Sequence, residues 1–210
     1  MSKAHTGSDK LFQTVVVVIA VALMLFYYNF HDLKKSSAGS VIKNIHINGS
    51  AYDWKNGFTY VSDTYSNTVS VIDGSSNNVM KKIHVGSQPR GIAFDSDNGY
   101  GYVANEGSYT LSVIDDSSNS VIKNIPVGWT PLGVVFDPAN GNVYVSAGTV
   151  YVINSTSNGV IKNIPVGLEP AAVAFDSYSH NIIVANQYSN TISIIDGSNN
   201  KVVDTIRVSR

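Results

Sequence analysis

The residues best equipped for chemistry in this chain are its aspartates, and they recur at fixed places. Asp53, Asp95, Asp137 and Asp176 each close a short apolar run, and Asp73, Asp115 and Asp196 close another, with Asn154 once in that slot. Oxygen ligands in such numbers are what a hard cation such as calcium requires. A carboxylate at a strand end also has a plainer use, accepting N–H groups of the turn that follows. One copy per repeat marks a structural device, so no metal site is expected. Histidine offers less. His46 and His84 occupy the position held by Pro126, Pro165 and Arg207 elsewhere, a slot so permissive that it reads as a solvent-facing edge. The chain has no cysteine, which excludes thiolate catalysis, disulfides and cysteine-ligated zinc. It shows no Ser/His/Asp arrangement, no His-x-x-x-His spacing and no Gly-rich phosphate loop opening a helix. No catalytic residue and no cofactor site is assigned.

More informative are positions that vary inside a fixed frame. Between a recurrent Gly and Pro the copies read Ser87-Gln88, Trp129-Thr130 and Leu168-Glu169, and Arg90, Leu132 or Ala171 follows the Pro. A second set of loops carries Tyr65, Tyr109 and Tyr188. The candidate binding rim is therefore Tyr65, Gln88, Arg90, Tyr109, Trp129, Glu169 and Tyr188. Aromatic, polar and sparsely charged, it has the composition of a recognition surface. Asn48-Gly49-Ser50 and Asn154-Ser155-Thr156 are acceptor sequons, which makes Asn48 and Asn154 candidate glycosylation sites.

These positions belong to a repeat. Val-Gly-x-x-Pro occurs at Val85, Val127 and Val166, followed by Phe94-Asp95, Phe136-Asp137 and Phe175-Asp176, with Tyr52-Asp53 as a weaker first copy. Asp95 to Asp137 is 42 positions and Asp137 to Asp176 is 39, the loss coming where Ala104–Thr110 shrinks to Ser146–Thr149. A fixed period of this length means one supersecondary unit used repeatedly. Each unit holds four strand candidates, typified by Gly91–Asp95, Tyr102–Asn105, Leu111–Asp115 and Val121–Val127, with Asp-x-x-Asn-Gly turns between the first two. Small residues in the first strand suit a crowded inner position, and Pro126 and Pro165 restrict the fourth to an edge. The fold class expected is all-β, a β-propeller of about four four-stranded blades.

The frame VIKNIPVG…P…VAFD…YVAN…NTVSVID resembles the YVTN β-propeller repeat of archaeal and bacterial surface or exported proteins. Tyr102–Asn105 and Ile183–Asn186 stand where that signature belongs, and Tyr60–Asp63 is a close variant. The resemblance spans about 41–208. It implies the propeller fold strongly and function weakly, because propellers carry unrelated activities.

Ahead of the repeats, residues 1–10 are short and polar, 11–30 form an apolar run long enough to cross a bilayer, and 31–40 are a polar linker to the repeats at 41–210. Phe26, Tyr27, Tyr28 and Phe30 bunch at one end of that run like an interfacial aromatic belt. A single N-terminal transmembrane helix is expected, with a cleaved signal peptide as the alternative. Lys3 and Lys10 before the run balance Lys34 and Lys35 after it, so orientation rests on the low-charge Ser/Asn/Thr-rich repeats, which suit the outside. Of 210 residues 43% are hydrophobic and 14% charged, with a net charge of −1, too neutral for a nucleic-acid surface.

The expectation is a non-catalytic, membrane-anchored, extracytoplasmic binding or scaffold module at the cell surface, its partner a second copy of the chain, another surface protein or a glycan. The alternatives are a propeller enzyme of lactonase-like or quinoprotein-like type and a structural subunit of a surface layer or filament. An enzyme should concentrate charge or histidine toward the channel, where this chain places Gly, Ala, Val and Ile. Val41–Ile47 reads as a surplus fourth strand without earlier partners, which predicts self-association through it or through open terminal blade faces.

Overall fold

The structure, a computed structural model, describes residues 47–208. The polar start, the apolar run, the linker and 41–46 of the surplus strand lie outside the described residues. Ile47, read as that strand's last residue, is instead the first residue of β1. Among the described residues no helix is long and apolar enough to cross a membrane.

Among the described residues sixteen strands form four antiparallel sheets of four, each taking its strands in chain order. Blade 1 holds β1 (Ile47–Asp53), β2 (Phe58–Asp63), β3 (Thr68–Asp73) and β4 (Val79–His84). Blade 2 holds β5 (Pro89–Asp95), β6 (Tyr100–Asn105), β7 (Thr110–Asp115) and β8 (Ser120–Pro126). Blade 3 holds β9 (Val134–Asp137), β10 (Asn142–Ala147), β11 (Thr149–Asn154) and β12 (Gly159–Ile164). Blade 4 holds β13 (Pro170–Asp176), β14 (Asn181–Asn186), β15 (Thr191–Asp196) and β16 (Lys201–Arg207). The hydrophobic period of two forces this arrangement: alternate residues of the middle strands face opposite neighbours, and both faces must be covered. The outer strands are mostly exposed, which is why Pro126 is tolerated at the end of β8.

The inner strands β1, β5, β9 and β13 lie side by side in that order, giving a propeller-like array. No comparable packing joins β13 to β1 among the described residues. One apolar cluster fills each seam. Tyr60, Val69, Val71 and Ile83 of blade 1 meet Ile92, Val103 and Ile114 of blade 2. Tyr102, Leu111 and Val113 meet Val143, Val145 and Ile153 in the next, and Tyr144, Val150 and Val152 meet Ile182, Val184 and Ile195 in the last.

Two devices lock these seams. The hydroxyls of Tyr60, Tyr102 and Tyr144 donate across to the Oδ1 atoms of Asn119, Asn158 and Asn200, at 3.2, 2.9 and 2.6 Å. Burial holds these phenols protonated: it pushes Tyr60 up to about 12, and raises Tyr102 and Tyr144 as well. On the inner strands, a Cβ on Gly49 or Gly91 would sit 2.5 Å from the carbonyl oxygen of Arg90 or Leu132 in the next blade, and one on Gly133 would sit 3.0 Å from that of Ala171. At Gly49 and Gly91 only glycine permits this approach, and at Gly133 a Cβ would require the neighbouring strand to give by a few tenths of an ångström. In blade 4 the corresponding residues are Ile183 and Ala172.

Candidate functional site

The turns explain the repeated aspartates. Oδ1 of Asp53, Asp95, Asp137 and Asp176 accepts the backbone N–H two residues on, as does that of Asp73, Asp115 and Asp196. These bonds favour the charged form. The Ser75 N–H holds Asp73 below the ordinary carboxylate value, the Ser118 hydroxyl does so for Asp115, and the Ser198 hydroxyl for Asp196. Asp176 is partly desolvated, yet the Ser179 hydroxyl still draws it down. Asp137 and Asp116 move the other way: burial raises both, and at Asp116 the neighbouring Asp53 adds to it. No group of three or more acidic or histidine side chains among the described residues could hold a metal ion. Asn154 takes the aspartate's role with the Ser157 N–H, Asn48 donates to the Thr64 hydroxyl, and both are half-buried. His84 is exposed at the end of β4.

The loops that join one blade to the next and the β2–β3-type loops share one face. Backbone bonds run from Glu106 N–H to the Gln88 carbonyl, from Gly107 to Ser87, from Gln187 to Glu169 and from Tyr188 to Leu168. Val127 N–H reaches the Tyr109 carbonyl, and Gln88 N–H reaches Asn67 Oδ1. The Val-Gly-x-x-Pro motif makes this possible. A Cβ on Gly86 would lie 2.6 Å from Cγ of the buried Asn105, and one on Gly167 would lie 2.7 Å from Cγ of Asn186. The glycine lets the joining loop close over the asparagine of the YVAN-like strand. Before each proline the chain then turns left-handed, at Gln88, Thr130 and Glu169 with φ of 54, 49 and 50°. That conformation is unfavourable for residues with a Cβ, and it fixes where these variable side chains project.

This pinned frame carries the candidate rim. Trp129, Tyr65, Tyr188 and Leu168 are 76, 74, 72 and 63% exposed. Tyr109 packs against Trp129 with ring centroids 5.4 Å apart. Tyr109 also adopts the left-handed conformation, φ 56°, where the sister loops use Asn67 and Asn190. Arg90 Nε is 2.6 Å from Glu106 Oε2, a half-buried ion pair between the start of β5 and the β6–β7 loop. A cavity of about 180 Å³ opens beside it, walled by Glu106, Thr130, Leu132, Glu169, Ala171 and Gln187. Of the rim, Glu169 walls this cavity, Arg90 is paired to its Glu106, the Gln88 carbonyl accepts from the Glu106 N–H, and Trp129 and Tyr188 adjoin its Thr130 and Gln187 in the chain. Tyr65 stands apart on the blade 1 loop. Sequence reasoning missed Glu106 and Gln187, and named Thr130 as a variable position without placing it in the rim. The signal was there: Glu106 and Gln187 each follow the asparagine of their blade, where blade 1 has Thr64. A larger groove of about 390 Å³ lies by Leu168, Ser189 and Val202. It is lined without any ionisable side chain.

Fold and site together define a propeller-like repeat protein with one loop-built face, aromatic at its edge and polar at its mouth. The chain belongs to the choice-of-anchor I domain family, whose model matches residues 27–207. That description associates the domain with the cell surface. No match is found to the curated proteins. Among solved structures, Kuenenia stuttgartiensis hydrazine synthase is similar in fold, with a TM-score of 0.72 and 20% identity over 85% of this chain. This chain spans about half of that one, 53% of its length.

Proposed function

We propose that this chain is a β-propeller that acts as a non-catalytic recognition module outside the cell, held at the membrane by the apolar run at 11–30. The observation that carries the reading is the rim. Large aromatic side chains stand in water on loops whose backbones are fixed by glycine, proline and cross-loop hydrogen bonds. Exposed aromatics on a rigid frame supply contact area at little entropic cost, which is what a binding surface needs. The family's association with the cell surface supports the location. The aspartates are engaged in turns, and the inner strands present Gly, Ala and Val, so neither group argues for catalysis. The fold's similarity to an enzyme at 20% identity concerns the fold alone.

The test has two arms. Cells carrying the full chain should expose the repeats to added protease, and membranes should retain the protein through alkaline carbonate. Trp129→Ala should weaken adhesion of these cells to their native matrix or neighbours while leaving the melting temperature unchanged. Adhesion indifferent to Trp129 and Tyr188 together would refute the recognition face. Release of a mature soluble protein beginning near Gly39 would replace the anchor by a signal peptide.

A further inference from the structure

We infer that the mouth between blades 2, 3 and 4 binds carbohydrate, with the Tyr109–Trp129 pair as the platform for a sugar ring and the Glu106–Glu169 cavity as the site of its hydroxyls. This inference rests on the reading of this face as the recognition surface, and it names the ligand's chemistry. Sugar hydroxyls both donate and accept hydrogen bonds, so they suit walls that mix the two kinds of partner. Here acceptors are the carboxylates of Glu106 and Glu169, and donors are the Gln187 amide and the Thr130 hydroxyl. The Arg90 guanidinium is held on Glu106. A cationic ligand only donates, and it would meet Arg90 with like charge. An anionic ligand would meet two carboxylates. A neutral polyol meets neither penalty.

The platform supplies the other half of the requirement. Trp129 is 76% exposed and buttressed by Tyr109, and it immediately precedes Thr130 of the cavity wall, so a broad apolar surface is held in water one residue from the polar mouth. The C–H face of a pyranose is apolar while its rim is polar, and an aromatic ring beside hydrogen-bonding groups covers both. Tyr109 strengthens the assignment. Its slot demands a left-handed backbone that asparagine takes readily and tyrosine does not, yet this loop carries the ring. The aromatic stands where the backbone alone would select against it.

The experiment uses the full chain with Trp54→Phe, which leaves Trp129 as its single tryptophan. Hexamers of glucose, mannose, galactose and N-acetylglucosamine are titrated to millimolar concentration, with hexalysine as the cationic comparison. The expected result is a saturable change in Trp129 fluorescence with at least one saccharide. Calorimetry on the chain that retains Trp54 should show that affinity falling at least tenfold in Trp129→Ala and severalfold in Glu169→Gln and Tyr109→Asn. Circular dichroism should show all three variants folded. Failure of every saccharide to bind overturns the carbohydrate assignment, as does saccharide binding untouched by Trp129→Ala. If hexalysine binds instead and needs Trp129, carbohydrate falls while the recognition face stands. If the rim variants leave adhesion unchanged as well, both fall.

Discussion

At the scale of single residues, two of the repeated strand-end carboxylates, one from each set, are held in opposite electrostatic conditions. Asp115 is drawn below its ordinary value of 3.8, first by the Ser118 hydroxyl. Its contribution to stability is present above that ordinary value and is lost as pH falls through the lowered one. Asp137 is raised by burial, and its Oδ2 has no hydrogen-bond partner. The folded chain therefore takes up that proton before the unfolded chain does, and this site gains stability as pH falls toward 3.8. Asp137→Asn, which keeps an acceptor for the Ala139 N–H, should raise the melting temperature at pH 7, the gain shrinking as pH approaches 4. Asp137→Ala loses that bond and should cost about 0.5–1.5 kcal/mol at pH 7 in a denaturant titration. Binding at the rim should be unchanged by either. Tyr109→Asn should be neutral or stabilising in the same titration, by up to about 1–2 kcal/mol, because a left-handed residue with a bulky side chain is relieved. A loss of stability on that change would mean that packing on Trp129 outweighs the backbone cost.

At the scale of elements, the seams matter more than the hairpins. Tyr102→Phe leaves the buried Asn158 without its donor and should cost about 1–3 kcal/mol by chemical denaturation. Gly91→Ala would drive a Cβ to 2.5 Å from the Leu132 carbonyl and should cost more than Gly133→Ala, where the gap is 3.0 Å. Overpacking of this kind typically costs about 1–3 kcal/mol. Equal costs would show that the inner strands slide freely past each other. Much of this level was legible in the sequence. The four-strand unit, its edge strand at Pro126 and the crowded inner strand at Gly91 follow from period, proline and glycine. The seam bonds were not legible, because Tyr60 and Asn119 are distant in the chain and only folding joins them. The same holds for the mouth: Trp129, Glu169 and Tyr188 stood out as variable positions, whereas Glu106 and Gln187 gained meaning once two loops were seen to share a wall. The four-strand pattern read from the repeat is present, while the family shown is the choice-of-anchor I domain and not the YVTN family that the sequence resembles.

At the scale of the whole molecule, the four blades are similar without being equivalent. We propose that copies associate, through the segment 41–46 or through the open faces of blades 1 and 4, and light scattering with and without 41–46 checks it. A chain that is monomeric both with and without that segment would refute it. The glycine and tyrosine locks at the three seams have a further consequence for how such a chain grows. Each seam joins a blade carrying the glycine and the tyrosine to a successor offering the carbonyl and the asparagine. Copies of blade 2 or blade 3 could be inserted in tandem and be read by both neighbours. A copy placed after blade 4 would meet the Cβ of Ala172 and the side chain of Ile183, neither of which fits that lock. Lineages that lengthen this protein by internal duplication are therefore expected to add units ahead of the fourth, and to leave the fourth as an heirloom.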